Sequence, residues 1–151
     1  MSNIMDWEKE GNSRIVYPEN TYQVMITKWE RTESFKKKTP QIKWTAEIIT
    51  PDEHKGRPII EYTLLTEASL WRIAKFVQAC GVDTSALKKM DTESPIFDAV
   101  LNTCVSRQVA WIVVEEVSND GVLRNDITEY RTLPDQEIIQ PIIGDDIKWD
   151  E

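Results

Sequence analysis

The sequence predicts a mainly β fold with two short helices, in the order β-β-β-α-α-β-β. Strand-like alternation recurs three times in residues 21–65, helical signals follow in residues 67–102, and β-branched residues return in residues 105–131. At 151 residues, the chain has the length of one ordinary domain that can bury a sizeable core. We expect this domain to span residues 20–131, after a loose lead-in at residues 1–19 and before an acidic tail.

The first two strands, residues 21–31 and 41–50, are predicted to form a hairpin. Strand side chains alternate between two faces, so the first strand has an apolar face and a mixed face that includes Trp29 and Arg31. The apolar faces of the two strands contain Tyr22, Val24, Ile26, Ile42, Trp44, Ala46 and Ile48. We expect these apolar side chains to form the core and the mixed faces to meet water or a ligand.

A turn and a third strand follow the hairpin. Residues 51–57 have the composition of a turn. We expect the side chain of His54, the only histidine, to be solvated there rather than to act as a metal ligand or a general base. The third strand is predicted over residues 58–65.

Two helices are predicted between the third and fourth strands. The first spans residues 67–80, with Thr66 as its N-cap and Gly81 at its end. Its apolar residues recur at helical spacing, which indicates core packing rather than a cofactor site. The second helix has Ser94 as its cap and Pro95 at its first position, and it continues to about residue 102.

The last two strands, residues 105–116 and 122–131, are joined by a turn that contains an Asp-Gly pair at residues 120–121. Five strands with helices between the third and the fourth predict an OB-fold-like, Greek-key antiparallel barrel. An antiparallel sheet that packs helices on one side is the alternative.

The charge distribution singles out the first hairpin. Residues 20–60 contain eight basic and five acidic residues, a net charge of +3, whereas the whole chain has a formal net charge of −8. Lys36, Lys37 and Lys38 lie at the predicted tip of the hairpin, whose strands contain Trp29 and Trp44. Such a tip suits a phosphate backbone with bases that stack, and it is equally typical of a solvated turn whose lysines prevent edge pairing.

The sequence lacks the usual signatures of an enzyme or a metal site. It contains no phosphate loop, GxGxxG, HExxH or GxSxG motif. The two cysteines, Cys80 and Cys104, have no CxxC spacing, so we expect two reduced, buried thiols at helix ends and no zinc. We therefore predict a binding protein without catalytic residues or cofactors rather than an enzyme.

The sequence also predicts an intracellular protein that does not enter a membrane. No apolar run approaches the roughly 18 residues of a membrane span, and the acidic first ten residues lack the basic and apolar regions of a signal peptide.

Residues 132–151 are predicted to form a flexible acidic tail. They contain six acidic residues, one basic residue and two prolines. The last ten residues mix acids with hydrophobic side chains, a pattern that suits either a docking peptide for other proteins or a solubilising tail.

The order of features across residues 20–131 resembles a family of phage-encoded single-stranded-DNA-binding proteins with an OB-like core, many of which are known only as proteins of unknown function. The features are the segments 20–24, 55–59, 79–82 and 124–127 together with the basic hairpin tip. The resemblance implies a sequence-tolerant protein of a phage or prophage that supports DNA replication or recombination in the cytoplasm of the infected bacterium.

The end of the chain carries a second resemblance. Asp145, Asp146, Ile147 and Trp149 are similar to the acidic tip of bacterial single-stranded-DNA-binding proteins. This resemblance implies that the tail recruits replication or recombination proteins. The chain differs from those tips in continuing to Asp150 and Glu151.

The leading hypothesis from the sequence is therefore single-stranded DNA binding. The predicted nucleic-acid-binding residues are Trp29, Arg31, Lys36, Lys37, Lys38, Lys43 and Arg57. The lysines of the tip and Arg57 would neutralise phosphates, and Trp29 would stack on a base with Arg31 and Lys43 beside it. The alternative is an acidic phage module or inhibitor that binds a host protein. The sequence leaves the oligomeric state open, with a homo-oligomer as one option.

Overall fold

The structure, a computed structural model, describes residues 16–35, 37–85 and 91–142. It contains one antiparallel sheet of five strands in the spatial order β3-β2-β1-β4-β5. The strands are β1 (Asn20–Glu33), β2 (Pro40–Thr50), β3 (Pro58–Leu64), β4 (Gln108–Val117) and β5 (Leu123–Arg131). Two helices, α1 (Leu70–Ala79) and α2 (Pro95–Cys104), lie between β3 and β4 in the chain. The predicted mainly β fold with two helices is confirmed.

One face of the sheet forms the core, as the alternation of apolar residues predicts. Tyr22 and Trp44 are both fully buried. The ring of Trp44 stacks on Phe76 of α1 with 4.0 Å between ring centroids. Trp111 of β4 completes this aromatic layer, with 5.9 Å between its ring centroid and that of Phe76. The two helices therefore cover the inner face of the sheet, and no helix of the described residues lies on the opposite face, called here the outer face.

The end of α1 and the start of α2 lie at the residues that the sequence indicates. Gly81, at φ +80°, follows α1, and the N–H groups of Gly81 and Val82 donate to the carbonyls of Gln78 and Val77 at 2.9 and 3.4 Å. These two bonds are the Schellman arrangement that ends a helix at a glycine. The Ser94 hydroxyl accepts from the Ile96 N–H at 3.1 Å, which confirms it as the cap of α2.

The start of the first helix differs from the prediction. Residues Glu67–Ser69 form a 3₁₀ turn and the α-helix begins only at Leu70. The Thr66 side chain makes no capping hydrogen bond.

The predicted barrel is not closed: in the described part of the chain, β3 and β5 share no backbone ladder. A flat sheet would place these two edge strands about 19 Å apart, at about 4.8 Å for each strand spacing. However, the Tyr130 hydroxyl of β5 donates to Glu61 Oε2 of β3 at 2.5 Å. Arg72 of α1 donates to the same carboxylate at 3.0 Å and to the Tyr130 oxygen at 2.8 Å. The sheet is therefore strongly curled, and we call Glu61, Arg72 and Tyr130 the clasp.

A second bridge joins the same two edge strands. The Tyr17 N–H donates to Asn125 Oδ1 of β5, and the Tyr17 hydroxyl donates to the Pro58 carbonyl of β3, both at 2.7 Å. Side chains thus connect β3 and β5 at two points where a closed barrel would have a backbone ladder. The prediction of a closed barrel fails because no N–H and C=O groups of these two strands pair.

The environment of His54 also differs from the prediction of a solvated side chain. Both of its ring nitrogens are buried and have no hydrogen-bond partner among the described residues. The ring packs edge-on against Tyr17, with 5.2 Å between ring centroids. His54 therefore serves as a packing aromatic at the turn between β2 and β3.

The folded domain continues beyond residue 131, where the sequence prediction placed the start of a flexible tail. The Ile139 N–H donates to the Gly81 carbonyl at 2.8 Å, and the Ile142 N–H donates to Thr103 Oγ1 at 2.8 Å. Arg107 donates to the carbonyls of Cys80 and Glu137. Residues 132–142 are thus held against the ends of both helices, because polar side chains and carbonyls there meet partners far away in the sequence.

The cysteines are free and buried at the ends of the two helices, as predicted. The Cys104 thiol donates to the Val100 carbonyl at 3.7 Å, and burial raises the pKa of the Cys80 thiol well above its ordinary value. Such a thiol is a poor nucleophile.

Candidate nucleic-acid interface

A β-bulge in β1 moves Trp29 and Arg31 away from the face on which the sequence places them. Ile26 pairs with Ala46, but Lys28 pairs with Thr45, so the residue between them is extra and the alternation reverses. Trp29 consequently lies opposite the buried Trp44 and packs against the core. The placement of Trp29 and Arg31 on the mixed face was therefore wrong.

Trp29 and Arg31 are both held by α2 or by the residues before it. The Trp29 Nε1–H donates to Asn102 Oδ1 at 2.8 Å. Arg31 donates to Asp98 Oδ1 at 2.6 Å and to the Thr92 carbonyl, and its guanidinium lies 5.5 Å from the centroid of the Phe97 ring. These contacts give both side chains a structural role on the inner side of the sheet.

The bulge brings Lys28 to the outer face instead, where it joins Lys43 of β2, which lies on the mixed face of its strand as predicted. Residues directly opposite each other on neighbouring antiparallel strands project from the same face. The register places Lys43 between Glu30 of β1 and Tyr62 of β3, and it places Thr45 between Lys28 and Ile60. We call Lys28, Lys43, Ile60 and Tyr62 the outer patch.

Tyr62 is the aromatic residue that the sequence prediction missed on this face. Its side chain is 42% exposed, as is that of Ile60. The third strand shows the signal: Ile60, Tyr62 and Leu64 alternate with the buried residues 59, 61 and 63. Lys43, with its side chain 30% exposed, is the direct neighbour of Tyr62 and also lies 3.8 Å from Glu30 Oε1. The outer patch therefore combines a stacking ring with two ammonium groups.

The turn between β1 and β2 is ordered by its own hydrogen bonds. The Lys38 N–H donates to the Ser34 carbonyl at 3.0 Å, and the Ser34 N–H donates to the Thr39 carbonyl at 2.8 Å. Phe35 is 88% exposed, Lys37 and Lys38 are exposed, and the Lys38 Nζ lies 5.9 Å from the Phe35 ring centroid. We call Phe35, Lys37 and Lys38 the lysine tip. Lys36 lies outside the described residues.

Arg57 is not part of this cluster. The Ile48 N–H donates to the Arg57 carbonyl at 2.9 Å, which places Arg57 at the far end of β2 from the lysine tip. Eight residues of β2 separate Pro40 from Ile48, a distance of about 26 Å along the strand. Lys43 lies between these two ends. A strand of nucleic acid that followed β2 would meet the lysine tip, the outer patch and Arg57 in that order.

A metal-ligand cluster and a membrane-spanning helix each place structural requirements on the described residues. Among them, no group of three or more His, Cys, Asp or Glu side chains is placed to hold a metal ion. Within the same residues, no helix is long and apolar enough to cross a membrane. The predicted partner-binding residues Asp145, Asp146, Ile147 and Trp149 lie outside the described part of the chain.

These features define a class of protein: a curled antiparallel sheet with two helices on its inner side and an outer face that presents Tyr62 beside Lys43. Residues 7–136 match a family described as "Protein of unknown function (DUF669)", and the chain belongs to this family. A search of curated proteins found no match.

Proposed function

We propose that this protein binds single-stranded DNA, without sequence preference, through the outer patch and the lysine tip. It would do so as a phage or prophage protein in the cytoplasm of the bacterial host, in support of replication or recombination. The tail residues Asp145, Asp146, Ile147 and Trp149 would recruit partner proteins for that process.

The observation that carries the proposal is the pairing of Lys43 with Tyr62 on the exposed face of the sheet. An aromatic ring offers a stacking surface to any base, and a neighbouring ammonium neutralises the adjacent phosphate. Lys28, one row further along β1, and the lysine tip extend the positive charge in both directions.

The same geometry favours a single strand over a duplex. A base stacks on Tyr62 only if its own face is accessible, whereas the bases of a duplex are paired and stacked on one another. In the part of the chain that the structure describes, the outer face presents no helix to enter a groove, because α1 and α2 both cover the inner face. The formal net charge of −8 opposes long-range attraction to any nucleic acid, single-stranded or duplex, so binding depends on this local surface.

The test is the anisotropy of a fluorescein-labelled oligo-dT titrated with the full chain across a salt series. Tyr62→Ala should weaken binding by about 1–3 kcal/mol, the value of one stacked base, and Lys43→Gln should reduce the salt dependence. Trp71→Ala is the matched control, since Trp71 is 59% exposed but projects from α1, on the other side of the sheet. Unchanged affinity for Tyr62→Ala and Lys43→Gln would contradict the proposal.

One observation favours the second candidate, a protein-binding module. Ile60 and Leu64 flank Tyr62 and are also exposed, so the outer face of β3 is largely apolar. A protein partner on this face would bind with little dependence on salt, and Ile60→Ser would weaken its binding as much as Tyr62→Ala does. Oligo-dT binding that weakens steeply with salt distinguishes the first candidate.

A further inference from the structure

The β1–β2 hairpin and the β4–β5 hairpin project from opposite ends of the sheet and differ in character. β4 pairs with the beginning of β1, where Val113 lies opposite Asn20. The β4–β5 turn therefore extends past the start of β1, whereas the lysine tip follows its end. Along β1, its 14 residues would separate these ends by about 46 Å if the strand were straight.

The turn between β4 and β5 exposes a continuous apolar surface. Val117 and Leu123 are register partners, and Val122 precedes Leu123 in the chain. All three are exposed, Val117 to 65%. We call these three residues the apolar hairpin. Exposed apolar residues that form a cluster mark contact surfaces more often than scattered ones do.

Carboxylates surround the apolar hairpin. Glu115 and Glu116 are exposed on β4, next to Val117, and Asp120 lies in the turn. Asp120 is partly neutralised, because Arg124 Nη2 lies 3.0 Å from its Oδ2. Glu116 lies opposite Arg124 in the ladder, whereas Glu115 lies opposite the uncharged Asn125. The surface is thus apolar at its centre and acidic at its border.

The lysine tip has the complementary character. Phe35 is the most exposed large hydrophobic residue among those described, and Lys37 and Lys38 are its exposed neighbours. We propose that copies of this chain associate head to tail, with Phe35 of one copy packed on the apolar hairpin of the next and with the lysines facing its carboxylates. The partner is a second copy because one chain carries both complementary surfaces.

The two surfaces are different patches at opposite ends, so the contact is heterologous, and a pair of copies retains one free apolar hairpin and one free lysine tip. Each added copy presents a new apolar hairpin or a new lysine tip, which produces an open row. The outer patch lies between the two ends and stays accessible, so DNA on such a row would be bound by the outer patch while the engaged lysine tips contact the next copy. This assembly goes beyond the proposed function, and a shared strand of DNA would raise the effective concentration of neighbouring copies.

The test is sedimentation velocity of the full chain without DNA, over a concentration series at low and high salt. Wild-type protein should form species larger than dimers, and salt should weaken them because part of the attraction is electrostatic. Phe35→Ser should lose the association, and so should Val117→Ser/Leu123→Ser, each by at least about tenfold in Kd. Ile138→Ser is the control, since Ile138 is 66% exposed but lies in neither hairpin.

A mixture of the two defective variants gives the decisive result. Phe35→Ser keeps an intact apolar hairpin, and Val117→Ser/Leu123→Ser keeps an intact Phe35. Each variant alone should be monomeric, whereas an equimolar mixture should form dimers and nothing larger, because only one productive contact exists per pair. A mixture that stays monomeric overturns the proposal, as does either variant assembling alone or a wild type that is monomeric throughout.

The test of self-association is independent of the test of DNA binding. The measurement contains no nucleic acid, and Tyr62→Ala should associate as the wild type does. If the wild-type protein associates with itself but does not bind oligo-dT, only the proposed function is contradicted. Circular dichroism of each variant shows whether it is folded, and association lost only in misfolded variants overturns the head-to-tail contact.

Discussion

The clasp joins β3 to β5 by side-chain hydrogen bonds where a backbone ladder is missing. Replacing Arg72 by methionine tests how much the clasp contributes to the free energy of unfolding. Arg72→Met keeps the aliphatic stem but removes the donors to Glu61 Oε2 at 3.0 Å, to the Tyr130 oxygen at 2.8 Å and to the Ile127 carbonyl. Removing one member of a fully buried ion pair costs about 3–5 kcal/mol. The side chains of Glu61 and Arg72 are 10% and 30% exposed, so we expect a loss of about 2–3 kcal/mol in the free energy of unfolding.

The pH dependence of this loss follows from the Glu61 carboxyl. Burial raises its pKa above the ordinary 4.5, although hydrogen bonds from Tyr130 and Arg72 oppose the shift. A carboxyl with a raised pKa in the folded state contributes stability that is present below its unfolded pKa and is lost as pH rises through its folded pKa. Without Arg72 the pKa rises further. The destabilisation should therefore be largest near neutral pH and should shrink as pH falls toward 4.5, because the folded-state pKa of Glu61 lies above that value in both proteins.

Urea unfolding monitored by circular dichroism, from pH 4 to pH 8, measures both effects. Arg131→Met is the control: Arg131 Nη2 lies at the same 3.0 Å from Glu129, but the two side chains are 60% and 52% exposed, so little change is expected. A loss below about 1 kcal/mol for Arg72→Met at pH 7 would refute the view that the clasp substitutes for a ladder. A loss that does not depend on pH would refute the role of the Glu61 charge.

Four other predictions follow from local geometry. Ser106 has φ +74° without being glycine, so Ser106→Gly should raise the free energy of unfolding by about 1 kcal/mol. Gly81→Ala should lower the melting temperature, because Gly81 has φ +80° and its added Cβ would lie 3.3 Å from the Glu137 carbonyl oxygen. Truncation after Arg131 should lower the melting temperature by several degrees through loss of the Ile139 and Ile142 hydrogen bonds; an unchanged melting temperature would contradict this anchoring. Glu30→Gln should release Lys43 from its 3.8 Å ion pair and tighten oligo-dT binding about two- to threefold, and unchanged affinity would place Lys43 outside the binding surface.

The elements of this fold are largely predictable because their signals are local. Alternation marks the buried Tyr22 and Trp44, Ser94 caps its helix, and Gly81 supplies the positive φ at which another helix ends. Each of these signals depends on residues within one turn or one strand. The strand bounds differ from the prediction by at most three residues.

The candidate site was less predictable because a single extra residue in β1 controls it. The bulge between Ile26 and Lys28 exchanges the faces of every later residue in that strand. It turns Trp29 toward the core and Lys28 toward the outer face, and no residue type near it signals this change. Tyr62 was predictable from the alternation of β3, but its neighbour Lys43 is recognised only once the register of β2 and β3 is known.

The seam between β3 and β5 has consequences for how the molecule moves. Across a paired ladder, strands separate only if several backbone bonds break together, whereas here the described contacts are those of Tyr17 and the clasp side chains. Local openings should therefore begin along this line, at a smaller free energy than global unfolding. Amide protons on the facing edges of β3 and β5 should exchange with solvent sooner than those between β1 and β2. The distance between β3 and β5 can therefore change, and with it the curvature of the sheet. The convex outer face can then adjust to a bound molecule while the core stays packed.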